Sequence, residues 1–331
     1  MEQDNAPSAI RTRVWRNGTL EAENFPFEQV SDYLAEPDCL VWADLLRPDQ
    51  ATLEQLAEEL SLDPHAVEDS MGHNERPKAT RYSTHLFLTA YTVTCTKDAT
   101  GITIGRVSAF TVKRGVVTVR LDDSLDLDAV VRRWDDNADL IKFGPRTLVH
   151  GLLDEMVDRY FDAAEALDTA VEQIEDVLFD ENAKAAHEVS RRTYAMRRSL
   201  VQARRAILPM REVVNTIMRR AADDAPELAP YYSDLYDHAL RAAEWTESLR
   251  DMVTSIFETN MTLSDNRMNT IMKKLTAWAA IIAVPTAVTG YFGQNVPYPG
   301  FQQPWGVWLS VGVIVVIAVG LYFSFRRKDW L

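Results

Sequence analysis

The chain changes its hydrophobic pattern twice. Up to about residue 145 the apolar positions fall in short alternating or β-branched runs: Leu40–Asp44, Thr84–Thr96, Gly101–Val112 and Val116–Leu121. These read as strands, with Asn17-Gly18 and Arg114-Gly115 at turns. Short helical stretches lie between them at Pro48–Leu60, with a proline in its first turn, at Pro64–Met71 and at Asp126–Asp136. The mixture predicts an α/β domain over residues 1–145. From Gly151 to Gly290 there is no glycine, and charged and apolar residues recur at helical spacing. This predicts long helices at Arg146–Phe179, Asn182–Ala222 and Leu228–Phe292, the second kinked at Pro209. The third would be about 100 Å long at ~1.5 Å per residue, so it needs partners along its length.

The last pattern is uninterrupted apolarity. No charged residue occurs from Leu275 to Phe325, and the run is divided by GYFGQNVPYPG. Leu275–Phe292 and Trp305–Phe325 each suffice to cross the hydrocarbon core as helices, joined by a short loop over 293–304. Arg267, Lys273 and Lys274 precede the first span, and Arg326, Arg327 and Lys328 follow the second, whereas the loop has no Lys or Arg. Positive-inside bias therefore predicts both termini in the cytoplasm, with a helical stalk over 146–274 and a basic tail over 326–331. The polar start MEQDNAPSAI does not read as a signal peptide.

Composition fits this layout. Two cysteines, Cys39 and Cys95, give no disulfide framework. The net charge is −14, and residues 275–331 hold three basic groups and one acid, which leaves −16 on residues 1–274. Such a body is unsuited to nucleic acid and attracts cations. No phosphate-binding loop, dinucleotide fingerprint, nucleophile elbow or HExxH is present, so neither enzymatic chemistry nor an organic cofactor is expected. The six histidines are scattered; His65 and Asp69 sit four apart on one helix, a spacing that allows a shared metal but more often marks a solvated face.

Two spans per chain cannot enclose a pore, so transport requires an oligomer. Asn269, Met272, Thr276, Ala279, Ala283, Thr286 and Gly290 step by three or four along the first span. This small or polar stripe serves equally as a helix-packing seam or as a pore lining. Asn269 and Thr286 would be costly facing lipid, and the polar turn Gly293-Gln294-Asn295 ends the same helix; both features favour the pore.

TGYFGQN, the aromatic and proline-containing loop after it, the second span and the terminal FRRKDWL together resemble the CorA family of divalent-cation channels. PYYSDLYDH and NRMNTIMKKLT resemble that family's stalk helix, and EDSMGHNERPKATRYSTHLFLTAY its other soluble part. The resemblance implies an α+β membrane protein: an N-terminal cytoplasmic α/β domain, long stalk helices and two C-terminal transmembrane helices, assembled as a homopentamer in the inner membrane. It implies Mg2+ or Co2+ influx, with Gly293, Gln294 and Asn295 as selectivity filter and Asn295 as the ring at the mouth. Thr286, Ala283, Ala279, Thr276 and Asn269 would line the pore, with Met272 and Leu275 at its constriction. Mg2+ would also be a regulatory ligand, held by Asp234 and by Asp98 of a neighbouring subunit. Gln294 stands where the family signature has Met, and the loop VPYPGFQQPW lacks an acid. Proton-coupled Zn2+ transport of the ZntB type is therefore an alternative, and a membrane-anchored scaffold or sensor is a second.

Overall fold

The computed structural model describes residues 9–72, 75–96, 101–180, 183–294 and 297–331, and for 183–185 and 221–224 the backbone alone. By compactness the chain divides into Met1–Ile256 and Phe257–Leu331.

The first unit is built on one seven-stranded sheet, ordered β2-β1-β3-β7-β6-β5-β4. Its strands are β1 (Ala9–Arg16), β2 (Thr19–Glu23), β3 (Cys39–Leu46), β4 (Lys78–Arg81), β5 (Leu86–Cys95), β6 (Ile102–Val112) and β7 (Gly115–Arg120). Every pairing is antiparallel except that of β3 with β7. The four strands expected from sequence are present, while β1, β2 and β4 are additional. Asn17 and Gly18 turn the β1–β2 hairpin with φ of 51° and 81°, the left-handed values that Asn and Gly tolerate best. The β6–β7 turn is Lys113-Arg114, one residue earlier than expected, and Gly115 begins the strand.

Alternation along the strands feeds two cores. Val41, Ala43, Leu45, Phe87, Phe110 and Val117 pack with Leu53, Leu56 and Ala66 of α2 (Gln50–Leu60) and α3 (Pro64–Met71). The opposite face, with Leu40, Trp42, Leu88, Ala90 and Val107, packs on α4 (Leu127–Asp136) and α5 (Pro145–Leu178), so the sheet lies between two helical layers. Pro48 stands outside α2, whose N-cap is Asp49 accepting from the Thr52 amide. Trp134 sits edge-on to Trp42 and Trp15 at centroid separations of 5.0 and 6.1 Å, and its Nε1 donates to the Leu148 carbonyl. Gly151 makes room for that ring, since a Cβ there would lie 2.6 Å from it.

Pro209 breaks the second long helix instead of kinking it. The helix becomes α6 (Ala183–Ile207) and α7 (Met210–Asp224). Proline has no N–H to continue α6, while its carbonyl accepts from Glu212 and Val213 and so begins α7. After a 3-10 turn at Pro226–Leu228, α8 runs unbroken over Ala229–Phe292 and passes from the first unit into the second. The second unit is the rest of α8 and α9 (Pro304–Arg327), and both helices are long and apolar enough to cross a membrane.

Candidate functional site

The apolar part of α8 has two faces. Ala277, Ala280, Ile281, Val284, Pro285, Val288 and Phe292 are buried or half-buried, and Gly306, Ser310, Val313, Ile314, Ala318, Leu321 and Phe325 are the corresponding shielded positions of α9. Both sets recur at helical spacing, each marking one shielded face of its helix. At ~100° per residue the stripe Asn269, Met272, Thr276, Ala279, Ala283, Thr286 and Gly290 falls on roughly the opposite side of α8. All of these residues are exposed in the single chain, as is Leu275 at the edge of the stripe. The shielded face of α8 is thus a different one and leaves the stripe free.

Pro285 lies inside α8, a feature not drawn from the sequence. It cannot donate to the Ile281 carbonyl, so one backbone acceptor is released mid-helix. Thr289 Oγ1 donates to the Pro285 carbonyl at 2.8 Å, tying its own hydroxyl into the turn that follows.

At the end of α8 the Gly293 amide donates to the Thr289 carbonyl at 2.9 Å and the Gln294 amide to that of Tyr291 at 3.3 Å. A Cβ on Gly293 would sit 2.9 Å from the Thr289 oxygen, closer than side chains tolerate. Asn295 lies outside the described residues. Beyond it an aromatic cluster steadies the loop: Tyr298 is 4.9 Å from Phe292 and 5.2 Å from Phe301, centroid to centroid. Gly300, at φ +88°, approaches Gly306 so closely that a Cβ would meet Gly306 Cα at 2.9 Å. This binds the loop to the first turn of α9, where Pro304 occupies the start. The turn presents amides, carbonyls and aromatic rings with no formal charge, groups suited to hydrogen-bonding an ion's water shell rather than to stripping it.

In the first unit Asp234, near the start of α8, is 71% exposed and lies 3.6 Å from His238 Nδ1. The cavity beside it is lined by His150 and Asp154 of α5 and by Arg133 of α4. Arg133 pairs with Asp154, Glu155 and Asp158, and Arg159 also pairs with Glu155, so those carboxylates are already engaged. This clamp was missed in the sequence, where only the i, i+1, i+4 spacing of the three acids hints at it. Burial pushes the His150 imidazole below its ordinary value, partly offset by Asp154 and by its contact with the Tyr231 carbonyl. Burial thus favours its neutral form. Asp98 lies outside the described residues. Asp69 ion-pairs with Lys78 at 2.6 Å, which removes it from any shared ligation with His65. Among the described residues no three His, Cys, Asp or Glu side chains converge on a metal position.

A protein-family model described as CorA-like Mg2+ transporter protein matches residues 38–327. The putative metal ion transporter YfjQ of Bacillus subtilis is 28% identical over 93% of this chain and 94% of its own. The cobalt/magnesium transport protein CorA of Thermotoga maritima is 29% identical over 84% of this chain and 80% of its own. Among solved structures, the complete CorA magnesium transporter of Methanocaldococcus jannaschii superposes with a TM-score of 0.78 at 21% identity, covering 98% of this chain and 99% of that one.

Proposed function

The chain belongs to the CorA-like Mg2+ transporter family, and on that premise we propose that it conducts Mg2+ or Co2+ inward through a central pore formed by five copies of α8. It is a membrane transporter of divalent cations and not an enzyme. The observation that carries the pore reading is the stripe from Asn269 to Gly290. It is uncharged, small or polar apart from Met272, exposed opposite the shielded face of α8, and it leads directly into the Gly293-Gln294 turn. Five such faces around an axis line a conduit in which the cation keeps its waters. Thr286, Ala283, Ala279 and Thr276 offer hydroxyls and small side chains, while Met272 and Leu275 narrow the conduit near Asn269.

Asn295 is assigned as the ring at the outer mouth. Amide oxygens accept hydrogen bonds from the hydrated ion's waters without the grip of carboxylates, so binding and release are both fast. Gln294 is compatible with this because Gly293 shapes the turn and Asn295 supplies the ring. The basic residues flanking the spans favour cytoplasmic termini in the inner membrane, and the loop over 293–304 then faces outward. An inside-negative potential of 100 mV supplies about 4.6 kcal/mol for two charges, sufficient drive without ATP. Cytoplasmic Mg2+ held between copies by Asp234 and a neighbour's Asp98 keeps the pore closed.

The test is cation influx into liposomes holding the purified protein under an imposed inside-negative potential, with low internal Mg2+. Mg2+ or Co2+ enters, and Asn295→Ala abolishes entry while the oligomer keeps its mass by light scattering. Undiminished flux in that variant would sink the assignment of the ring. Zn2+ influx that depends on a pH gradient, with no Mg2+ entry, would replace the ion assignment. No flux of any of the three would overturn the transport reading.

A further inference from the structure

We propose that the first unit binds a small organic phosphate in the cavity between the β4–β5 and β6–β7 ends of the sheet and the helices α5, α7 and α8. The cavity has a volume of about 350 Å³, within the size range of ligand pockets. Four cationic residues line it: Arg81 at the end of β4, Lys113 in the β6–β7 turn, Arg146 at the start of α5 and Arg220 on α7. No acidic residue lines it among the described residues, although the chain carries −14 overall. A cationic concavity in an acidic protein is opposite to what average composition would put there.

Two buried polar atoms reinforce the charge argument. Arg220 Nη1 and Thr111 Oγ1 are both shut off from solvent with no hydrogen-bond partner among the described residues, and both residues line this cavity. A buried guanidinium nitrogen without a partner among the described residues favours an anion that a small rotation of the side chain brings within reach. The helix α5 starts here without a side-chain N-cap, and the positive end of its dipole acts in the same direction.

The rest of the lining selects the class of anion. Leu86, Val149 and Ile217 add an apolar part to the lining. The Tyr232 hydroxyl donates to the Arg146 carbonyl and so fixes that wall of the cavity against α5. Cations beside apolar side chains fit a phosphomonoester bearing an apolar or aromatic group, better than a bare ion or an extended polycarboxylate. This site is separate from the proposed ion pathway and does not depend on it.

The experiment is isothermal titration calorimetry on the full-length protein in detergent, with AMP, inorganic phosphate and citrate as probes. AMP binds more tightly than either of the other two. Arg220→Gln and Lys113→Gln each weaken AMP binding by about tenfold or more, the loss expected for one charged hydrogen bond. Lys113 is exposed in a turn, so its replacement leaves the fold intact even where that of Arg220 does not. Arg197→Gln, which removes an exposed charge on α6, leaves AMP affinity unchanged. Absence of AMP binding to the wild-type protein, or equal affinity in Lys113→Gln and wild type, overturns the site. Citrate or inorganic phosphate binding as tightly as AMP overturns the ligand class.

Discussion

At the level of single residues, the end of α8 is governed by one missing methyl group. Gly293 can follow Thr289 closely because nothing projects toward the Thr289 carbonyl, 2.9 Å from where a Cβ would stand. Alanine at this position must lengthen the hydrogen bond from its own amide or rotate the turn, and either movement displaces the two residues that follow. Gly293→Ala should therefore lower Mg2+ influx at least about tenfold, as expected when a positioned group shifts by around 1 Å. The mass of the oligomer and the unfolding temperature should change little, because the turn is exposed; unaltered influx in liposomes would show that the turn tolerates the shift. The turn at Gly293 was legible in the sequence because glycine and polar residues divide two apolar runs there. The Arg133 clamp on α5 was not, because its members lie on separate helices and only packing of α4 against α5 joins them.

Among the elements, the contact of β3 with β7 carries the largest buried electrostatic commitment. Arg120 donates to both carboxylate oxygens of Asp44, Thr118 Oγ1 donates to Asp44 at 2.6 Å, and Trp42 Nε1 donates to Thr118 at 3.2 Å. Asp44 and Arg120 are 1% and 4% exposed, so neither can recover hydration if its partner is lost. Arg120→Met should destabilise the fold by about 3–5 kcal/mol, with Asp44→Leu added to it recovering much of the loss. Denaturant unfolding of the two variants checks this, and a double variant no more stable than the single one would contradict it. The same buried charges explain which strands the pattern exposes. β3, β5, β6 and β7 are dense in β-branched and aromatic residues and were readable. β1 reads AIRTRVWR and looks like a surface segment, yet Arg13 is 4% exposed and is held by Glu23 and Asp135. β4 is four residues long with two basic side chains, too short for alternation to register. Likewise Pro209 is visible in sequence, but whether a proline bends a helix or ends it depends on what receives the following turn.

For the whole molecule, the charge of the soluble part and the neutrality of the pathway pull in complementary directions. An acidic body of net −16 over residues 1–274 raises the local concentration of divalent cations, while in the proposed pore an uncharged stripe and turn would let them pass without being trapped. If Mg2+ bridging between copies holds the closed arrangement, the ion stabilises that arrangement by mass action and its removal releases carboxylates that repel one another. Asp234 is well placed for this, being largely exposed and paired with no arginine among the described residues, in contrast to Asp154, Glu155 and Asp158 beside it. Limited proteolysis of the full-length protein across a Mg2+ series should show protection at millimolar Mg2+ in the wild type. Asp234→Ala should shift that protection to several-fold higher Mg2+ and leave influx open at internal concentrations that close the wild type. A protection curve identical to wild type would remove Asp234 from sensing and direct attention to the acids that Arg133 holds, tested in turn by Asp158→Asn.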